Sequence, residues 1–202
     1  MKKILTGLAA ALLLAPLAAR ADSELSVVLE GGATHYNQGL SSGTDTGGEY
    51  GARLGIMPTP YLGVELGYLG SQNNVSQSFN AGHNVGTLRT NGGYADLRVN
   101  VLPGVVTPYV FGGYGLTHFD APGDSTSFNA LTSTTTSTIP FGGGLEANIG
   151  AFKLGGRFQY NYLFNHIYTG TGGNNNGAGV NVDKGGNADF YAVSLDLGAS
   201  FR

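Results

Sequence analysis

Eleven charged side chains fall within segments that alternate between apolar and polar residues. Six are acids (Glu30, Glu49, Glu65, Asp96, Glu146 and Asp196) and five are bases (Arg53, Arg98, Lys153, Arg157 and Arg202). All eleven share the polar parity, so a pleated strand would carry each of them to the same face of a sheet. Carboxylates and guanidinium groups gathered on one enclosed face support ion-pair chemistry, and enclosure makes any unpaired member costly. The near balance of acids and bases therefore implies a paired network. Register arithmetic supplies a first pair: if Met57 opposes Tyr61 across a short turn, Arg53 stands opposite Glu65.

Eight alternating segments must position these groups, at about 25–34, 49–56, 62–68, 95–101, 110–117, 139–149, 152–162 and 191–202. The fifth has the weakest pattern, because Phe111 and Tyr114 fall on opposite faces. Met57-Pro58-Thr59-Pro60, Leu102-Pro103-Gly104 and Gly150-Ala151 have tight-turn composition. The other connections, about 35–49, 69–93, 118–138 and 163–189, are long and rich in Gly, Asn, Ser and Thr, with low-complexity tips at Ser133 to Ser137 and Gly170 to Gly177. Thr59-Pro60-Tyr61-Leu62 and Thr107-Pro108-Tyr109-Val110 each open a strand after a short turn, a faint two-hairpin repeat. Short turns at one end and long loops at the other are the pattern of a bacterial outer-membrane barrel.

Lys2 and Lys3 precede an apolar run from Ile4 to Leu17 and a small-x-small site at Ala19-Arg20-Ala21, so residues 1–21 read as a cleaved signal peptide and 22–202 as one barrel domain. The apolar run is shorter than the about 20 residues a membrane helix needs, so any span must be made by strands. An eight-stranded barrel has room inside for little beyond its own side chains. The polar parity, with Gly32, Gly51, Gly55, Gly63, Gly67, Gly142, Gly144, Gly155 and Gly198, fits that space, whereas the apolar parity would overfill it. Its Leu, Val, Phe and Tyr side chains can instead face acyl chains, and a closed barrel leaves no backbone edge unpaired in lipid. A single Lys or Arg facing the bilayer midplane would cost about 2 to 4 kcal/mol, and no charge has that parity. Tyr50, Tyr68, Tyr114, Tyr160, Tyr162 and Tyr191 toward the long-loop ends, with Phe152 and Phe201 toward the short turns, have the placement of interfacial girdles. The expected fold is all-β: a closed, eight-stranded, antiparallel up-and-down transmembrane β-barrel.

Thr59 to Tyr68 (TPYLGVELGY), Ala95 to Val101 (ADLRVNV), Phe141 to Ile149 (FGGGLEANI) and Leu154 to Tyr162 (LGGRFQYNY) carry a family likeness. Residues 25–202 resemble the transmembrane domain of outer membrane protein A and the wider group of small eight-stranded outer-membrane barrels. The resemblance implies integral insertion in the cell outer membrane and an interior charge network, at Glu65, Arg98, Glu146 and Arg157, that blocks the lumen. With Arg53 added, the expected pairing shares Glu65 between Arg53 and Arg98 and joins Glu146 to Arg157. The last strand resembles the aromatic-ended signal read by the barrel assembly machinery, marked here by Tyr191, Leu197 and Phe201, although Arg202 follows the Phe that usually ends such chains. No peptidoglycan-binding domain follows the barrel, so no anchoring role is carried over.

Losing Lys2, Lys3 and Arg20 with the leader moves the formal charge from −3 to −6, which argues against a nucleic-acid partner. The chain has no Cys, so disulfides and thiolate metal sites are excluded, and neither a metal nor a cofactor is expected. Gly112-Gly113-Tyr114-Gly115 and Gly142-Gly143-Gly144 have no following helix to complete a phosphate site. Some small outer-membrane barrels modify lipid A, which needs a nucleophile or paired carboxylates beside a histidine. His35, His83, His118 and His166 lie in or beside the long connections with Asp45, Asp120, Asp124 and Asp183, but no His-x-Ser arrangement occurs. The mark of such an enzyme would be one of these histidines meeting an acid and a hydroxyl. The expected function is non-enzymatic: a structural, surface-contacting barrel with four long loops and a charge-plugged interior. A narrow porin-like channel is the alternative, and a lipid A-modifying enzyme comes third. Expected partners are outer-membrane lipid and lipopolysaccharide, the barrel assembly machinery and periplasmic chaperones, with a monomer as the expected state.

Overall fold

The structure is a computed structural model that describes residues 23–37, 44–74, 87–120, 134–164 and 189–201. The leader at 1–21, the tips of the four long connections, His83, His166, Asp124, Asp183 and Arg202 lie outside the described residues.

Every described element is a strand: β1 (Glu24–Tyr36), β2 (Gly47–Met57), β3 (Leu62–Asn74), β4 (Thr87–Asn100), β5 (Val106–Asp120), β6 (Thr134–Ile149), β7 (Phe152–Leu163) and β8 (Phe190–Phe201). Each pairs antiparallel with its neighbours in sequence, and β1 closes on β8 from Leu25↔Phe201 to Tyr36↔Phe190, completing an up-and-down barrel. Alternating residues face opposite sides of the wall. The outward parity leaves Leu29 62%, Leu97 51%, Leu145 58%, Leu195 75% and Leu197 62% exposed, whereas Arg53, Glu65, Asp96 and Arg157 are at most 4% exposed. A water-soluble barrel buries its apolar parity, so this inverted arrangement requires a lipid surround.

The strands are longer than the apolar pattern indicates. β3 runs to Asn74, β4 starts at Thr87 and β6 at Thr134, so Thr134 to Ser137 belong to a strand rather than a loop tip. Past the apolar band the alternation continues in hydroxyl and amide residues. Ladder bonds need no apolar side chain, and Thr suits a pleated strand. Both members of the two-hairpin repeat stand at the start of a strand after a short turn, but in different places: Tyr61 lies in the turn and is 60% exposed, while Tyr109 lies within β5 and is 2% exposed.

The turns fix the register. Gly150, with φ near +64°, adopts a left-handed conformation open to glycine and closes the β6–β7 hairpin from Ile149↔Phe152. Between β2 and β3 the register is Gly55↔Glu65 and Arg53↔Gly67, two residues away from the expected Arg53–Glu65 opposition. The cause is a wider turn, in which Thr59 Oγ1 accepts from Leu62 N at 3.0 Å while Pro58 and Pro60 have no N–H to donate. A shift of two keeps both side chains on the inner face.

Candidate functional site

From the long-loop end downward, the bore is filled in layers. Tyr36, Leu88, Phe119, Leu163 and Phe190, each at most 3% exposed, form an apolar cap. The Tyr36 ring lies 5.4 Å from Phe190 and 6.4 Å from Phe119, and its hydroxyl pairs with Thr90 Oγ1. Below lies a neutral polar layer: Thr34 donates to Asn73 Oδ1 at 3.1 Å, Thr117 and Thr138 share a 2.6 Å hydroxyl contact, and Gln159 donates to Asn161 at 2.9 Å. Neutral donors and acceptors satisfy most of one another's needs here without desolvating a charge, although the buried Asn161 Nδ2 has no partner among the described residues.

The charged groups occupy the middle. Ten of the eleven charges that the alternation pattern assigns to strands are buried, each at most 7% exposed, and the eleventh, Arg202, lies outside the described residues. Arg53 donates to Glu30 and to Asp196 Oδ2 at 2.6 Å, and its Nε stands 3.8 Å from Glu65. Arg157 bridges Glu65 and Asp96, at 2.8 Å to each, while Arg98 reaches Glu65 and Glu146 at 3.1 Å. Lys153 joins Glu146 to Glu24, at 2.7 Å to each. The expected Glu146–Arg157 pair is therefore replaced by Glu146 with Arg98 and Lys153. Lys153 lies directly across the β6–β7 hairpin from Asn148, next to Glu146, while the long Arg157 side chain crosses the bore to β3 and β4. Glu65, at the centre, faces three guanidinium groups.

Aromatic rings complete this layer, and the alternation pattern did not single them out. Phe111 lies 3.3 Å from the Arg157 guanidinium carbon and Tyr109 lies 3.8 Å from that of Arg98, so the planar cations are covered by ring faces as well as carboxylates. Phe111 breaks the alternation of the fifth segment because it points inward to this cation, and that anomaly is the signal in the sequence. Space for the rings comes from glycine: a Cβ at Gly67 would overlap the Tyr94 ring, and one at Gly144 would overlap Tyr109. Asp189, 2% exposed, was also missed. It accepts from Leu163 N at 2.9 Å and from the Tyr160 hydroxyl at 3.2 Å, tying the start of β8 to the end of β7.

Toward the short turns the filling stops. A cavity of about 390 Å³ is lined by Glu65, Arg98, Glu146, Lys153, Asn100 and Asn148, among others. Asn100 Nδ2 donates to Pro60 O at 2.8 Å and Asn148 Nδ2 to Gly104 O at 3.1 Å, so the cavity walls also brace two turns.

On the outer wall, His118 meets both an acid and a hydroxyl: Nε2 lies 3.1 Å from Asp120 Oδ1 and Nδ1 lies 2.8 Å from Thr135 Oγ1. His35 meets only a hydroxyl, Thr46 Oγ1, at 3.2 Å. The His118 contacts have the connectivity of an acid–histidine–hydroxyl relay. The His118 and Asp120 side chains are 45% and 49% exposed, however, and the group does not line the 390 Å³ cavity. Among the described residues no group of three or more His, Cys, Asp or Glu is arranged to hold a metal ion.

Of the terminal-strand residues, Leu197 and Phe201 face outward and are 62% and 57% exposed, and Tyr191 stacks outward on Phe158 at 6.1 Å. Tyr50, Tyr68, Tyr114 and Tyr162 lie on the outer wall toward the long-loop end, and Phe152 lies near the short turns.

The barrel is similar to several solved structures. Neisserial surface protein A matches with a TM-score of 0.59 and 12% identity, covering 88% of this chain and 97% of that one. The attachment invasion locus protein Ail of Yersinia pestis matches with a TM-score of 0.51 and 13% identity over 89% and 99%. OprG of Pseudomonas aeruginosa matches with a TM-score of 0.51 and 12% identity over 88% and 96%. No curated protein matches the sequence. At these identities the likeness shows a shared fold, and the sequence adds the family, since the profile of the outer membrane protein β-barrel domain matches residues 6–202. The chain belongs to that family and is an integral protein of the outer membrane.

Proposed function

We propose that this chain is a non-enzymatic structural barrel whose interior is a static plug, with long connections that serve surface contact. The observation that carries the reading is the double filling of the bore, by an apolar cap over a charge layer in which Glu65 alone joins three arginines. An ion would have to cross an apolar constriction and then break several buried pairs, each step adding to the barrier. Purified barrels in planar bilayers are expected to stay electrically silent. Sustained single-channel conductance in the wild type would overturn the plug.

A second reading, a narrow gated channel, is favoured by the 390 Å³ cavity that brings the short-turn side up to Glu65, Arg98 and Glu146. On that reading Glu65→Ala and Glu146→Ala change channel opening as well as stability. On the first reading they change stability alone.

A further inference from the structure

Every other carboxylate of the charge layer meets a cation. Glu30 and Asp196 share Arg53, Glu65 lies among three guanidinium groups, Asp96 takes Arg157, and Glu146 takes Arg98 and Lys153. Glu49 makes neither an ion pair nor a hydrogen bond among the described residues, although it is only 7% exposed and its Oε2 is buried.

Its place in the barrel explains the isolation. The register sets Glu49 between Gly32 of β1 and Ser71 of β3, with Ser194 of β8 beyond Gly32, so no cation stands at its level on these strands. Both hydroxyls are spent elsewhere: Ser71 donates to Asn73 Oδ1 at 3.3 Å and Ser194 to Asp196 Oδ1 at 3.2 Å. Gly51, the next inward residue of β2, is covered by the Glu30 carboxyl, since a Cβ there would stand 2.4 Å from Glu30 Oε1. The charges that face Glu49 are therefore Glu30 of β1 and Asp196 of β8, which repel an anion, and Arg53 of β2 and Arg157 of β7, which four other carboxylates already engage. From β4 comes only Tyr94, whose hydroxyl donates to Glu30 at 3.3 Å. Toward the long-loop end the Thr34–Asn73 contact and the apolar cap close the bore above the carboxyl.

An ionised carboxyl can only accept hydrogen bonds, and no donor is left for it here. The neutral acid supplies its own O–H and escapes the repulsion of Glu30 and Asp196. We propose that the folded barrel keeps a proton on Glu49 at neutral pH, which makes this seat between the polar layer and the charge layer a proton-binding site. The seat lies above the ion pairs of the plug, so it exists whether or not the bore conducts. Between the ordinary carboxylate range, about pH 4, and the pH at which Glu49 gives up its proton, the folded barrel binds one proton more than the unfolded chain. Stability contributed by this group therefore falls as pH rises.

The test is reversible urea unfolding of the folded barrel in phosphatidylcholine vesicles, wild type beside Glu49→Gln. Glutamine keeps the shape and the neutrality, and the ratio of the two unfolding constants cancels the titration of the other groups. Glu49→Gln is expected to need more urea than the wild type at about pH 7, and the wild-type constant relative to that of the variant to rise about tenfold per pH unit from about pH 5.5 to about pH 7. A flat ratio over that range, or a variant less stable than the wild type at its upper end, would overturn the site. Infrared spectra give a second readout that needs no unfolding. At neutral pH the wild type should show the C=O band of a neutral carboxylic acid, sensitive to deuterium exchange, and Glu49→Gln should lack it. A band present in both proteins would place the proton on another group, and no band in the wild type would leave Glu49 ionised; either result ends the assignment. A ratio that follows potassium concentration at fixed pH would replace the proton with a bound cation.

Discussion

Glu65 and Glu146 both sit in the charge layer, but they are not equivalent. Replacing Glu65 leaves Arg53, Arg98 and Arg157 without their shared carboxylate, whereas after loss of Glu146 Lys153 keeps Glu24 and Arg98 keeps Glu65. Breaking a buried pair costs about 3 to 5 kcal/mol, and water in the adjoining cavity lowers that figure. Glu65→Ala is therefore expected to lower the urea midpoint of the folded barrel more than Glu146→Ala, as read by tryptic resistance or heat-modifiable migration. The opposite order would show that the network is anchored at Lys153 rather than at Glu65. The side of the wall each charge faces was legible in the sequence, because parity needs only the alternation. The partners were not, since a guanidinium reaches across the bore to strands remote in sequence and a shift of two in one turn re-pairs the layer without changing any face.

Among the strands, β5 and β6 hold the one irregular ladder that the register shows. Pairing runs from Gly112↔Phe141 to Gly115↔Thr138 with nothing between, and Pro140, which has no N–H, stands in the gap opposite Gly113. Proline inside a paired strand removes a ladder bond, and in a membrane wall the orphaned carbonyl cannot turn to bulk water. A void of about 10 Å³ lies beside the gap, touching Pro140, Gly115, Thr138 and Asn161. Pro140→Ala is expected to supply the missing rung. The new amide should exchange with deuterium as slowly as its ladder neighbours, with a gain of about 1 kcal/mol from the bond, offset by the lost ring contacts. Rapid exchange at position 140 would show that the gap has another cause. Alternation revealed that this segment is a strand, but no pattern of residue types reveals that its proline faces a hydrogen-bonded position, because that depends on the register with β5.

For the molecule as a whole, the short turns and both chain termini, at the start of β1 and the end of β8, should lie on the periplasmic side, with residues near 80, 128 and 175 outside. Protease added to intact cells is expected to cut within the long connections only, and cleavage at 57–61 or 102–107 would reverse the orientation. Barrel closure, strand count and membrane setting were all readable from eight alternating runs and the bulk of each parity. The apolar cap was not, because its members sit at strand ends beyond the apolar band, where a lone Leu or Phe on the polar parity looks like noise. Strand length carries one more consequence. β4, β5 and β6 have 14, 15 and 16 residues, against 11 in β2 and 12 in β7 and β8. Five residues extend a strand by roughly 17 Å, or about 13 Å in height once the tilt of a barrel strand is allowed for. Among the described residues the paired wall is thus highest over β5 and β6 and lowest over β8 and β2, so the last ladder bonds of the barrel lie at unequal distances from the bilayer.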